Sequence, residues 1–165
     1  MITAIRDFFV QSVGKELCVF FCAMLPIIEL RGAVPMGAAL GLPFYCTLPL
    51  ALVGNLLPVP FILLLIRRIL EWMKKGKHLR RVALWVEERA ERRQEKIERL
   101  QYPGLLLFVA IPLPGTGAWM GSLIAALLRM DFKKSLLFTA LGVLIAGVIM
   151  TLASYGIVGF LSFLV

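Results

Sequence analysis

The sequence is short of histidine, cysteine and charge, and each shortage removes a class of function. His78 is its one imidazole and stands among lysines and arginines with no ligand partner. No Ser/His pair, paired aspartates or metal-ligand set occurs in the apolar blocks, so neither an enzyme nor a cofactor is expected. Cys18, Cys22 and Cys46 lie in apolar surroundings. The first two share a helix face, but no histidine or carboxylate completes a metal set, and they read as small hydrophobes. Charged residues make up 17% of the 165, against about a quarter in a soluble domain.

What is abundant is apolar surface. Hydrophobic residues reach 60% and mean hydropathy is +0.89, the composition of one integral membrane domain. Of the 18 lysines and arginines, 12 fall between Arg67 and Arg99 with 6 of the 10 acids. A basic block beside apolar spans marks a cytoplasmic loop, here in an inner membrane, and attracts anionic lipids. Nucleic-acid binding would need a basic face free of lipid and is excluded. Residues 1–15 contain Asp7 and no small-residue cleavage site, so targeting falls to the spans.

Against this background one stretch stands out. Leu25-Pro-Ile-Ile-Glu-Leu-Arg-Gly-Ala-Val-Pro-Met-Gly37 puts Glu29 and Arg31 inside an otherwise apolar run from Leu17 to Ile66. Each charge at membrane depth costs about 2.5–3.5 kcal/mol on insertion scales. The stretch holds two prolines and two glycines, Pro26, Gly32, Pro35 and Gly37, which break the helix where the charges sit. Broken helices at that depth line cavities or are buried in protein. Adjacent placement at i and i+2 does not put the two charges face to face on a regular helix, so each is expected to have another partner.

The chain divides as follows. Residues 1–15 fit an interfacial helix, and 16–43 a re-entrant hairpin whose first apolar arm, 17–28, is too short to span. Residues 44–66 form a transmembrane helix containing Asn55. Residues 67–101 read as one long cytoplasmic helix carrying the stripe Leu79, Ala83, Val86, Ala90, Arg93, Ile97 and Leu100. That stripe suits a membrane-skimming connector or a weak coiled-coil homodimer contact. Residues 103–128 are long enough to span, but Ile111-Pro-Leu-Pro-Gly-Thr-Gly117 at their centre is the worst helix former in the chain. Read as a second re-entrant hairpin, they also leave Arg129, Lys133 and Lys134 inside. Residues 133–154 are a second transmembrane helix, and 155–165 an interfacial tail after a turn that Gly156 and Gly159 permit.

The two interrupted blocks repeat. At an offset of 84, Ala33, Gly37 and Gly41 fall on Gly117, Gly121 and Ala125, small residues at the spacing that lets membrane helices touch. The fold class is therefore an all-α membrane protein of two inverted repeats, each a re-entrant hairpin followed by a span. Its site would lie between the hairpin tips at the midplane. The first tip supplies Glu29, Arg31, Gly32 and Pro35; the second supplies Pro112, Pro114, Gly115, Thr116, Gly117 and Trp119. Asn55, in the second half of the first span, is added to them.

Glu29-Leu-Arg-Gly-Ala-Val-Pro35 and Pro112-Leu-Pro-Gly-Thr-Gly-Ala-Trp119, in that order, resemble the two signature motifs of the small multidrug export family. Chain length and the charged linker match as well. More distantly the chain is similar to the DedA/VTT membrane proteins, although the second arginine-rich hairpin motif of that group is replaced here by Pro-Leu-Pro-Gly-Thr-Gly. The resemblance implies a small exporter coupled to a proton or ion. The DedA side implies translocation of a phosphate-bearing lipid carrier, and a scaffold acting through 67–101 is the non-transporting alternative.

Overall fold

The computed structural model describes residues 14–75, 79–98, 100–113 and 115–164, the side chains of 67, 91–98 and 157–164 excepted. Among the described residues every regular element is a helix: α1 Lys15–Met24, α2 Glu29–Ala39, α3 Phe44–Leu56, α4 Val59–Lys75, α5 Arg80–Glu98, α6 Tyr102–Ala110, α7 Ala118–Leu127 and α8 Phe132–Leu164. The interfacial helix expected over 1–15 lies almost wholly outside these residues, as does His78.

Two stretches, Phe44–Ile66 of 23 residues and Phe132–Gly156 of 25, are long and apolar enough to cross a bilayer. Only 28% of an apolar 18-residue window in either is buried within the protein, and Tyr45, Phe61, Leu64 and Leu152 face outward. So much uncovered apolar surface would be an aggregation patch in water and is ordinary against lipid. This is a membrane protein.

The chain divides into two compact units, and each span contributes to both: residues 1–57 with 143–165, and residues 58–142. The first span divides at the Leu57–Pro58 turn. Pro58 and Pro60 bring no backbone N–H, so two rungs of the helix ladder are missing there.

In the first unit α1 and α2 pack on each other and both pack on α3. The break between the arms follows from Pro26: the residue before a proline is pushed out of the α region, and Leu25 is extended with ψ 133°. The arms return side by side, and the Lys15 ammonium donates to the Leu40 carbonyl at 2.9 Å, favourable at the carbonyl-rich end of α2. Gly54 of α3 sits against the Phe20 carbonyl and the Ala23 methyl of α1, and Gly37 of α2 against Thr47. Cys18 and Cys22 are buried in α1 as free thiols, and the Cys18 thiol donates weakly to the Met36 sulfur at 3.7 Å.

Helix α8 runs unbroken to Leu164, so the turn expected near residue 154 is absent. Glycine in a helix costs only about 0.5–1 kcal/mol, too little to end one in an apolar run. Tyr155, placed by sequence in a surface tail, is tied into the first unit instead. Its hydroxyl donates to the Leu42 carbonyl at 2.8 Å and accepts from the Thr47 hydroxyl at 2.7 Å. Tyr155→Phe would strand a buried carbonyl and should cost about 1–3 kcal/mol, read as a lower unfolding temperature in detergent.

In the second unit α4 packs on α5 and α7, and α5 on α6 and α7. The linker is not one helix. Helix α4 continues past the membrane run to Lys75, the next helix starts at Arg80, and the Lys74 ammonium pairs with Glu87 across the two at 2.6 Å. Of the heptad-like stripe, Ala83 and Ala90 are buried while Leu79 and Leu100 are exposed, so the face packs only in part against the chain's own helices. The i, i+4 pairs that spacing suggests at Glu88–Arg92 and Glu95–Arg99 rest on side chains outside the described set. Helices α6 and α7 form the second arm pair, and their free ends also meet: the Asp131 amide donates to the Tyr102 hydroxyl at 3.3 Å.

The same sequence of backbone signals occurs in both units. A positive-φ residue precedes each first arm (Gly14, Gln101), opens each second arm (Glu29, Gly117) and ends it (Gly41, Arg129). The second and third pairs are 88 residues apart, as are the starts of α3 at Phe44 and α8 at Phe132. Each first arm also presents a carbonyl and the residue three further on to a span glycine. Phe20 and Ala23 meet Gly54, and Leu106 and Val109 meet Gly142. These backbone features share an offset of 88 residues, whereas the small residues of the sequence align at 84. Small residues every fourth position look alike when shifted by one turn, so sequence spacing alone could not separate the two.

Candidate functional site

Glu29 is 6% exposed and is the first residue of α2, with φ 50°. A left-handed conformation costs a side-chain-bearing residue about 1–2 kcal/mol, and the corresponding residue in the second unit is Gly117. Only the carboxylate distinguishes Glu29 from the glycine that this backbone would prefer. Its amide donates to the Leu25 carbonyl at 2.8 Å, and the Gly32 amide donates to the Ile28 carbonyl at 2.9 Å, so the break is a tight, hydrogen-bonded turn.

Arg31 is half-buried, and its guanidinium and the Glu29 carboxylate act on each other electrostatically. Spacing of i and i+2 keeps two side chains apart only on a regular helix, and the left-handed first residue makes α2 irregular at that point. Gly32 and Pro35 do not break the helix as the sequence suggests: α2 runs through both from Glu29 to Ala39, and the break falls before it, at Pro26. Lacking an N–H, Pro35 removes the helical hydrogen bond that the Arg31 carbonyl would accept. Gly32 is needed for space, since a β-carbon there would come within 2.6 Å of the Ile28 side chain.

Asn55 is 3% exposed on α3, and its side-chain oxygen accepts no hydrogen bond within the protein. A buried amide oxygen without a donor costs about 1–3 kcal/mol and suits a site that receives a donor from a ligand or water. Ser122, Ser135, Thr139 and Thr151 are in the same condition, but a helical hydroxyl sits close to its own preceding carbonyls. Asn55 has no such local outlet.

The second break is built differently. Ile111, before Pro112, is extended with ψ 118°, again because of the following proline. The Thr116 hydroxyl lies 3.0 Å from the Ile111 carbonyl and 2.9 Å from the Leu113 carbonyl, so its hydrogen closes the turn. Gly115 and Gly117 have φ 77° and 123°, values that L side chains rarely adopt. Pro112 and Trp119 are half-buried, and Pro114 lies outside the described residues. This break thus contributes shape and backbone, while the titratable and charged groups belong to the first. Tyr155, tied to the end of α2 through Leu42, is a residue that sequence reasoning missed.

A family profile described as "Putative small multi-drug export protein" matches residues 29–149, beginning at Glu29 itself. The chain belongs to that family. The matched residues run from the first residue of α2 through the linker and the second break into the first half of α8. Small multidrug export describes a transporter rather than an enzyme, in accord with the apolar spans and the two interrupted helix pairs. No curated protein and no solved structure matches the chain.

Proposed function

We propose that this protein is a small exporter whose coupling and binding group is the Glu29–Arg31 break of the first unit. One observation carries the reading: a buried carboxylate held in a left-handed conformation within an apolar segment, where glycine would serve the backbone better. Glu29 would exchange a proton or an ion with the substrate, since desolvation brings the neutral and ionised forms of a buried carboxyl closer in energy. Arg31 would hold the carboxylate ionised when the site is empty or bind an anionic group. Asn55, on the helix that packs against α2, would offer its oxygen to the cargo.

In this reading both arm pairs are re-entrant, the first entered from outside and the second from the cytoplasm, with the linker cytoplasmic. Each arm of 9 to 11 residues spans about 15 Å, half of what a crossing requires. Single cysteines at Lys75 and Lys133, in a chain without its native three, should both react only with a cytoplasmic maleimide. Reaction of position 133 from outside would make residues 103–128 a full span. Transport itself is tested by efflux of cationic dyes from proteoliposomes with and without an imposed pH gradient. Flux that ignores the gradient would remove Glu29 from the proton-coupling role.

A further inference from the structure

A second polar feature lies away from the Glu29 break, wholly within the second unit. A cavity of about 470 Å³ is lined by Arg68 and Glu71 of α4, by Arg129 after α7, and by Leu63, Leu64 and Phe132. Among the described residues no ion pair joins either guanidinium to a carboxylate. The cavity therefore keeps a net positive lining, two guanidinium groups against the Glu71 carboxylate, beside an apolar wall.

Arg129 is there at the expense of the backbone. Helix α7 ends in a Schellman turn, with the Arg129 amide donating to the Ala126 carbonyl at 3.2 Å and the Met130 amide to the Ala125 carbonyl at 3.0 Å. The first of these two donors must be left-handed, the position that glycine normally fills, and Arg129 has φ 56°. Helix α2 ends in the same turn, through the Gly41 amide to Ala38 and the Leu42 amide to Gly37, and there the residue is glycine with φ 74°. The second unit thus has a guanidinium where its own counterpart has no side chain, and that guanidinium lines the cavity. Arg68 follows the apolar run ending at Ile66 and Arg129 the run ending at Leu128, which sets both at headgroup level.

We infer that this cavity binds a phosphate-bearing group, held between the Arg68 and Arg129 guanidiniums with its apolar neighbour against Leu63, Leu64 and Phe132. Paired guanidiniums present the planar donor forks that fit phosphate oxygens, and Glu71 would receive an ammonium where the headgroup carries one. Native mass spectrometry of the full chain in mild detergent, titrated with phosphatidylethanolamine, phosphatidylglycerol and diacylglycerol, tests this. One phospholipid should bind at least tenfold more tightly than diacylglycerol, and Arg129→Gly and Arg68→Gln should each weaken it about tenfold. Arg129→Gly gives the turn its preferred residue, so its unfolding temperature should equal or exceed that of the unaltered protein, which separates lost binding from lost folding. Competition by millimolar inorganic phosphate would identify a free anion as the occupant, and its failure to compete a lipid headgroup. Equal binding of diacylglycerol, or unchanged phospholipid binding in Arg129→Gly and Arg68→Gln, would overturn the assignment.

Discussion

Glu29→Gln should abolish substrate movement while leaving the chain folded, and Glu29→Gly should do the same with unfolding temperature unchanged or slightly raised. The second variant is informative because of the backbone. At φ 50° a glycine relieves about 1–2 kcal/mol of left-handed strain, which offsets the packing that the glutamate side chain provides. If the pair were a structural salt bridge, removing Glu29 would leave Arg31 uncompensated, a loss of about 3–5 kcal/mol at the buried limit. The double variant Glu29→Gln with Arg31→Met would then recover both stability and flux. Arg31 is only half-buried and can reach water when its neighbour is neutral, so the stability loss should be small. The double variant should remain inactive. Unfolding temperature in detergent and dye efflux from proteoliposomes, measured on the same three preparations, decide the matter: rescued efflux would remove Glu29 and Arg31 from the site.

The position of Glu29 shows what a sequence reveals and what it hides. Its charge within an apolar run is visible at once. The breaks at Pro26 and Pro112 are less so, because Val34 and Leu48 also precede prolines and yet stay helical inside α2 and α3. The backbone conformation of Glu29 is not visible, since glutamate and arginine are not residue types that announce a left-handed turn. Glu29 and Arg129 both take a positive φ and carry a charge where the position 88 residues away is glycine, a match visible only in three dimensions. The shifted register has the same origin. Periodic small residues define a helix face but not a turn number, whereas positive φ values mark single positions.

The linker misleads for another reason. Its charges and periodicity are those of a solvated helix, and the stripe is legible, but nothing in a stripe says whether it meets a second copy or its own chain. Ala83 and Ala90 are buried within their own unit, whereas Leu79 and Leu100 of the same stripe stay exposed. Tyr155 misleads in the opposite direction. A tyrosine near the end of an apolar helix ordinarily anchors at the interface, and only the Leu42 carbonyl and the Thr47 hydroxyl give its oxygen an interior role.

The glycines facing each first arm should be the least replaceable residues outside the site. At Gly54 a β-carbon would run into the Phe20 carbonyl and come within 3.1 Å of the Ala23 methyl. At Gly142 it would come within 2.8 Å of the Val109 β-carbon and 3.0 Å of the Leu106 carbonyl. Backbone carbonyls and β-carbons belong to the helix frame and cannot rotate away, so the arm itself must move. Even alanine should cost about 1–3 kcal/mol at each position, and leucine more. Leucine should therefore separate α1 from α3 in the first case and α6 from α8 in the second, lowering the unfolding temperature and exposing the buried Cys18 and Cys22 to thiol reagents in Gly54→Leu alone. Gly156 is the control, because a β-carbon there meets nothing within 4 Å. Gly156→Ala should stabilise α8 by about 0.5–1 kcal/mol through helix propensity. If leucine at positions 54 and 142 proved as mild as alanine at 156, the arms would not rest on the spans, and the correspondence between the two units would lose its packing half.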